Sequence, residues 1–213
     1  MGKKFWIVLI LVVVGFTGFL WLSGDKDAAE SGAVDSKVVP VAHITGKQDA
    51  TVKLVEYSDF QCPACAAYYP VVEQVLEKYK DRISFEYRHY PLTAIHRNAF
   101  AAARASEAAG KQGKFWEMYR LLFTNQKAWS DSDSSQMTFE GYAKQLELDL
   151  IRYKADFASS ETNSVINASI REFNKLGFAK STPTFLLDGK KIQPRDTADF
   201  NRLIEKRLEA NRR

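Results

Sequence analysis

Cysteine is all but missing from this chain of 213 residues, which carries two, Cys62 and Cys65, separated only by Pro63 and Ala64. So few cannot form the disulfide framework of a small stapled domain. None is needed, because a chain that is 46% hydrophobic and 13% aromatic can bury a full core. Histidine is nearly as scarce. His43, His89 and His96 stand at no zinc-finger spacing, which argues against a metal site. An excess of one charge is also lacking: 30 basic residues face 26 acidic ones, for a net charge of +4, which describes a solvated surface. No Lys/Arg cluster alternates with aromatics, so nucleic acid is excluded as the expected partner. No repeat of solenoid spacing is present. What remains unexplained is a pair of thiols in a chain that otherwise avoids them.

The N-terminus addresses the compartment. Lys3 and Lys4 precede a run without charge from Phe5 to Leu22, with Trp6 and Trp21 near its two ends. As a helix such a run spans roughly 27 Å, close to a bilayer's hydrocarbon core. The competing reading is a cleaved signal peptide, but Leu22-Ser23-Gly24 is a poor cleavage site and Ser31-Gly32-Ala33 lies well past the apolar run. No cysteine follows the run, which excludes a lipoprotein anchor. The expectation is a transmembrane anchor over 1–22 and a flexible, acidic linker over 23–37. Either way the remainder is exported to an oxidising compartment.

Beyond the linker, "VKLVEYSDF" is an apolar, partly β-branched run and reads as a buried strand. From Cys62 the period changes. Cys65, Tyr69, Val72, Leu76 and Tyr79 fall at helical spacing, with Tyr68 and Val75 filling the stripe. "RISFEYRHYP" alternates and reads as a second strand, completing a βαβ unit with parallel pairing. A helix-rich stretch follows, with a helix expected to start at Thr93 and a polar loop at "KAWSDSDSSQM". "TPTFLLDG" and "KKIQP" read as a hairpin turning at Asp188-Gly189. The closing segment reads as an amphipathic helix with Phe200, Leu203, Ile204 and Leu208 on one face.

Helix spacing makes the two thiols unlike. Cys65 lies on the buried stripe. Cys62 lies one turn earlier, at the helix N-terminus, where unpaired N–H groups and the dipole favour an anion. Their Cα atoms fall about 5–6 Å apart, within reach of a disulfide. Pro63 suits the first helical position. A purely structural disulfide would close too small a loop to stabilise much. The pattern points to redox chemistry, with an exposed nucleophile at Cys62 and a shielded resolving thiol at Cys65.

The segments "VKLVEYSDFQCPAC", "HRNAFAAARASEAAG", "GKFWEMYRLLF" and "LGFAKSTPTFLLDGKKI" together resemble DsbA-like thiol-disulfide oxidoreductases of the thioredoxin superfamily, in the membrane-tethered bacterial branch. The resemblance implies an α/β thioredoxin fold over 38–213 with a helical insertion at about 92–178. It implies that Cys62 is the nucleophile and Cys65 the resolving thiol. Pro183 is then a cis-proline across from the cysteines, Thr182 offers its backbone to an extended client, and Glu56 is a buried acid beneath the dithiol. A solvent-facing strand position is the alternative for Glu56. The dipeptide Pro63-Ala64 places no histidine beside Cys65, so one stabiliser of the thiolate in strongly oxidising members is missing. His89 ends a strand near the site, either approaching it or simply exposed, and Asn167 begins a chance glycosylation sequon. The implied activity is disulfide formation in reduced exported proteins, with no cofactor beyond the Cys62–Cys65 pair. Reoxidation falls to a quinone-linked membrane protein of DsbB or VKOR type, and the chain is expected to be a monomer on the outer side of the bacterial cell membrane. The other readings are a reductase or isomerase of the same fold, and a non-catalytic thioredoxin-like chaperone.

Overall fold

The computed structural model describes residues 38–212. The expected anchor (1–22) and linker (23–37) lie outside the described residues, and among those described no helix is long and apolar enough to cross a membrane.

The elements are β1 (His43–Gly46), β2 (Lys53–Ser58), α1 (Pro63–Tyr79), β3 (Ser84–His89), α2 (Ala99–Gly110), α3 (Phe115–Thr124), α4 (Gln126–Trp129), α5 (Ser135–Gln145), α6 (Leu150–Ala158), α7 (Ser160–Lys175), β4 (Thr184–Leu187), β5 (Lys190–Ile192) and α8 (Thr197–Ala210). They form a five-stranded sheet in the order β1-β3-β2-β4-β5. β2 and β3 run parallel through the crossover α1, with Glu56 opposite Tyr87 and Ser58 opposite His89. β4 pairs antiparallel with β2, placing Phe185 beside Glu56. β2 is therefore interior, which explains its near-continuous apolar character. The β4–β5 turn has Asp188 at φ 47° and Gly189 at φ 75°. Two successive positive φ values match a turn whose twist suits a hairpin.

Helices cover both faces. On one, α1 sets Cys65, Val72, Val75 and Tyr79 against Leu54, Phe85 and Tyr87, and the same core continues into Phe200 and Ile204 of α8. It also runs into the inserted helices through Met118, Tyr119 and Leu122. On the other face Tyr57, Tyr90 and Leu186 pack with Phe173 of α7. The helices α2–α7 all lie between β3 and β4, and their shared core with α1 fixes them relative to the cysteines.

Two expectations are corrected. The helix expected from Thr93 begins at Ala99, because Leu92 O accepts Ile95 N and His96 N in tight turns before it. The loop expected at Lys127–Met137 is partly helical, and Trp129 within it is fully buried, its indole Nε1 donating to Leu122 O at 3.0 Å. Two elements had no sequence counterpart: β1, an edge strand of four residues, and α6, capped by Asp149, which accepts from Ile151 N and Arg152 N.

Candidate active site

β2 ends at Ser58 and the chain turns through Asp59–Gln61. Cys62 then becomes the N-cap of α1, with φ −66° and ψ 123°, and Pro63 takes the first helical position. The extended backbone of Cys62 aims its sulfur at the helix end, where N–H groups have no helical acceptor. Cys65 follows one turn on and is wholly buried. Both are thiols. The expectation of an exposed Cys62 is corrected: its exposure is 6%, because the Thr182 loop and the inserted helices close over the turn. The two sulfurs differ less in cover than in their neighbours.

Those neighbours set opposite acidities. The Cys65 thiol donates to Cys62, burial opposes ionisation, and the Thr182 hydroxyl and the N–H groups of Cys65 and Ala64 donate as well. The result holds the Cys62 thiol down at about 5. The helix end therefore contributes, but the partner thiol contributes most. Cys65 is pushed well above the ordinary thiol value, first by burial, then by donating to Cys62 and by the negative charge beside it. Alkylation of the reduced protein is expected to follow a single thiolate half-formed near pH 5, all at Cys62, with Cys65 silent through neutral pH. Peptide mapping after labelling at pH 6 checks this, and label shared equally by both cysteines would refute the asymmetry.

Across from the sulfurs, the Thr182–Pro183 peptide is cis. The Cys62 thiol donates to Thr182 O at 3.5 Å. Thr182 Oγ1 is buried with no hydrogen-bond partner in the thiol form, so it is available to donate once Cys62 ionises. Beyond Pro183 opens a groove of about 380 Å³ lined by Tyr68, Phe185, Ile192, Pro194 and Arg195. Pro63 and Ala64 are exposed at the helix tip.

Glu56 is 2% exposed and faces the core on the Cys65 side of β2. Burial raises its carboxyl to about 7, Ser58 partly offsets this, and charge on Cys62 adds to it. Ser58 Oγ and Glu56 Oε2 are both buried without a well-formed hydrogen bond among the described residues. The hydroxyl nevertheless lies near enough to favour the charged form of either Glu56 or Cys65.

Several residues that hold the site were not found from sequence. Asp59 accepts from Gln61 N at 2.8 Å, Leu92 N at 2.9 Å and His96 Nδ1 at 2.6 Å. Gln61 donates to Ser130 O at 2.7 Å and accepts from Asn98 N at 2.7 Å. Gln126 donates to Phe60 O at 2.7 Å and to Cys62 O at 3.0 Å. The inserted helices thus pin the cysteine turn by amides whose sequence positions carry no pattern; only the Asp59-x-Gln61 turn beside the cysteines offered a local signal. His96 belongs to this turn network. His89 is neither exposed nor at the sulfurs. It is buried, and its Nε2 lies 2.9 Å from Glu107 Oε1.

A family model described as Thioredoxin matches residues 39–206. Among curated relatives, a Na(+)/H(+) antiporter NhaA 1 of Salinispora arenicola is 38% identical over 149 residues, covering 70% of this chain and 22% of the antiporter. The chain thus spans roughly a quarter of the length of the antiporters it matches, from 22% to 29%. Among solved structures, Wolbachia pipientis alpha-DsbA1 aligns with a TM-score of 0.70 at 19% identity, covering 81% of this chain and 94% of that one. Oxidised BdbD from Bacillus subtilis aligns with a TM-score of 0.69 at 22% identity, covering 78% and 92%.

Proposed function

The chain belongs to the thioredoxin family, in the DsbA-like arrangement with helices inserted between β3 and β4, and we propose that it is an exported thiol-disulfide oxidoreductase working in the oxidising direction. The observation that carries this is the unequal dithiol: Cys62 held as a thiolate near pH 5 beside a Cys65 held as a thiol. A reduced form stabilised by its own thiolate gives up electrons reluctantly, and its disulfide is correspondingly oxidising.

A client thiolate attacks Cys62 Sγ of the Cys62–Cys65 disulfide. The Cys62–client bond forms, the Cys62–Cys65 bond breaks, and Cys65 leaves as a thiolate that takes a proton. Glu56, with its carboxyl near 7, is placed to supply that proton through the Ser58 hydroxyl. The client's second thiolate then attacks its own sulfur in the mixed disulfide. The client leaves oxidised and Cys62 leaves as the stabilised thiolate. Thr182 O and the groove beyond Pro183 are where an extended client strand would lie.

The pair must then be reoxidised, and the partner we infer is a quinone-linked membrane protein of DsbB or VKOR type. An N-terminal helix would hold a monomeric catalytic domain on the outer side of the membrane, close to that partner. Transport of ions is a property of the longer antiporter relatives and is not carried over.

The test is the reduction potential against glutathione. An oxidase requires a value toward that of strong oxidants, about −120 to −180 mV, whereas about −270 mV would make the protein a reductase.

A further inference from the structure

One buried cluster takes no part in the dithiol chemistry. His43 of β1, His89 of β3 and Glu107 of α2 are far apart in sequence, and each is less than a tenth exposed. His43 Nε2 lies 2.7 Å and His89 Nε2 2.9 Å from the same oxygen, Glu107 Oε1. One donor atom from each of the three residues falls within 4.8 Å of the others. The surrounding shell is aromatic. Phe115 stacks on His43 with ring centroids 3.5 Å apart, and Tyr87 and Phe115 meet His89 edge-on at 5.3 and 6.0 Å. Among the described residues no lysine or arginine pairs with Glu107; its ion-pair partners are the two imidazoles.

We propose that His43, His89 and Glu107 form a binding site for a divalent transition-metal ion of the zinc class. Two ring nitrogens and a carboxylate are a donor set for zinc, cobalt or nickel, and too rich in nitrogen for calcium or magnesium. An N–H···O bond and an N–metal bond leave the ring in the same direction, so both imidazoles already point at one place. Metal bonds of about 2.0–2.1 Å at tetrahedral angles hold donors about 3.3 Å apart. The carboxylate therefore needs to withdraw by only about half an ångström from each ring, and each neutral imidazole binds through Nε2 with its single proton carried on Nδ1. A divalent cation would also take over from the two imidazoles the stabilisation of this buried carboxylate's charge. These three residues supply three of the four ligands of a tetrahedral site. Because His89 lies opposite Ser58 in the β2–β3 register, and Phe60 packs on its ring at 6.0 Å, the site would brace the strand ends that carry the cysteine turn.

The test uses the full chain in its oxidised form, so that Cys62 and Cys65 cannot bind metal. Zinc chloride is added, excess is removed by desalting, and bound metal is counted. One equivalent per chain is expected, together with a rise in Tm; no retained zinc overturns the proposal. Cobalt chloride should give the intense visible bands of a tetrahedral site, and weak octahedral bands overturn it. His89→Gln should lose the retained equivalent, and full retention by a folded variant overturns the assignment. X-ray absorption on the zinc-loaded natural chain does not depend on any variant folding. Two imidazole nitrogens in the first shell support the site, and oxygen-only ligation rejects it.

Discussion

Cys65→Ser is expected to turn the protein from one that passes disulfides on into one that stays covalently attached to its clients. In the variant Cys62 keeps its place at the start of α1, the N–H groups at the helix end and the Thr182 hydroxyl. It loses the Cys65 thiol proton, the largest contribution to its acidity, and the serine hydroxyl stands in its place as a donor. The thiolate therefore persists and attacks a client disulfide: one S–S bond breaks, the Cys62–client bond forms, and the other client sulfur leaves as a thiolate. Nothing within the chain can then reverse the step, since no other cysteine exists. Release is left to the client's own freed thiolate or to a thiol from solution. Oxidation of a reduced test protein should fall by on the order of 1000-fold or more, because the variant has no disulfide to give. Client adducts should accumulate on non-reducing gels and vanish with reductant. Cys62→Ser should lose the activity equally and form no adducts, because Cys65 is buried and its thiol is held protonated. Equal adducts from both variants would mean that the roles of nucleophile and resolving thiol are not divided as proposed. Full activity in either would remove the dithiol from the mechanism and leave a binding protein.

How much of this was legible in advance depends on the range over which each feature is determined. β2, α1 and β3 carry their own signals: an apolar run, a switch to helical period at Cys62, and alternation into His89. The unlike thiols follow from the same local pattern, since helix spacing alone puts Cys65 on the packed stripe and Cys62 at the helix end. The hairpin at Asp188-Gly189 needs only the tolerance of those two residues for positive φ. The misses are long-range. β1 is four residues on a sheet edge, recognisable only by its pairing with β3. The start of α2 moves from Thr93 to Ala99 because Asp59, from a distant turn, takes Leu92 N and His96 Nδ1. α6 did leave a signal: an aspartate, Asp149, directly before an apolar residue is a common N-cap. Cys62 is covered because Gln126 and Thr182 arrive from elements more than sixty residues away. The His43–His89–Glu107 cluster was missed for the same reason. Finger spacing asks only about neighbours in sequence, while this set is assembled by an edge strand, an interior strand and an inserted helix.

Glu56→Gln is expected to strengthen the fold and weaken the chemistry, and pH separates the two effects. In the folded protein the Glu56 carboxyl titrates at about 7, against 4.5 for the free side chain. The folded state therefore holds this proton more tightly than the unfolded state does. Below about pH 4.5 both states carry it, and the residue adds no pH-dependent penalty. As pH rises from there the unfolded chain releases the proton first, so stability falls through the window up to about 7 and levels off once the folded carboxyl is also charged. The full loss is roughly 3 kcal/mol, from a shift of about 2.5 pH units at 1.36 kcal/mol each. Glutamine fills the same space and never ionises. At pH 8 the reduced variant should thus be more stable by roughly 3 kcal/mol in urea unfolding, while at pH 4 the two curves should coincide. Disulfide exchange should slow by on the order of 100-fold, and its pH profile should lose the inflection near 7, since glutamine cannot pass a proton toward Cys65 through Ser58. A stability difference that is flat with pH would show that Glu56 titrates normally and is not desolvated. A pH-dependent gain in stability with unchanged exchange would show a buried acid that destabilises the fold without serving the dithiol.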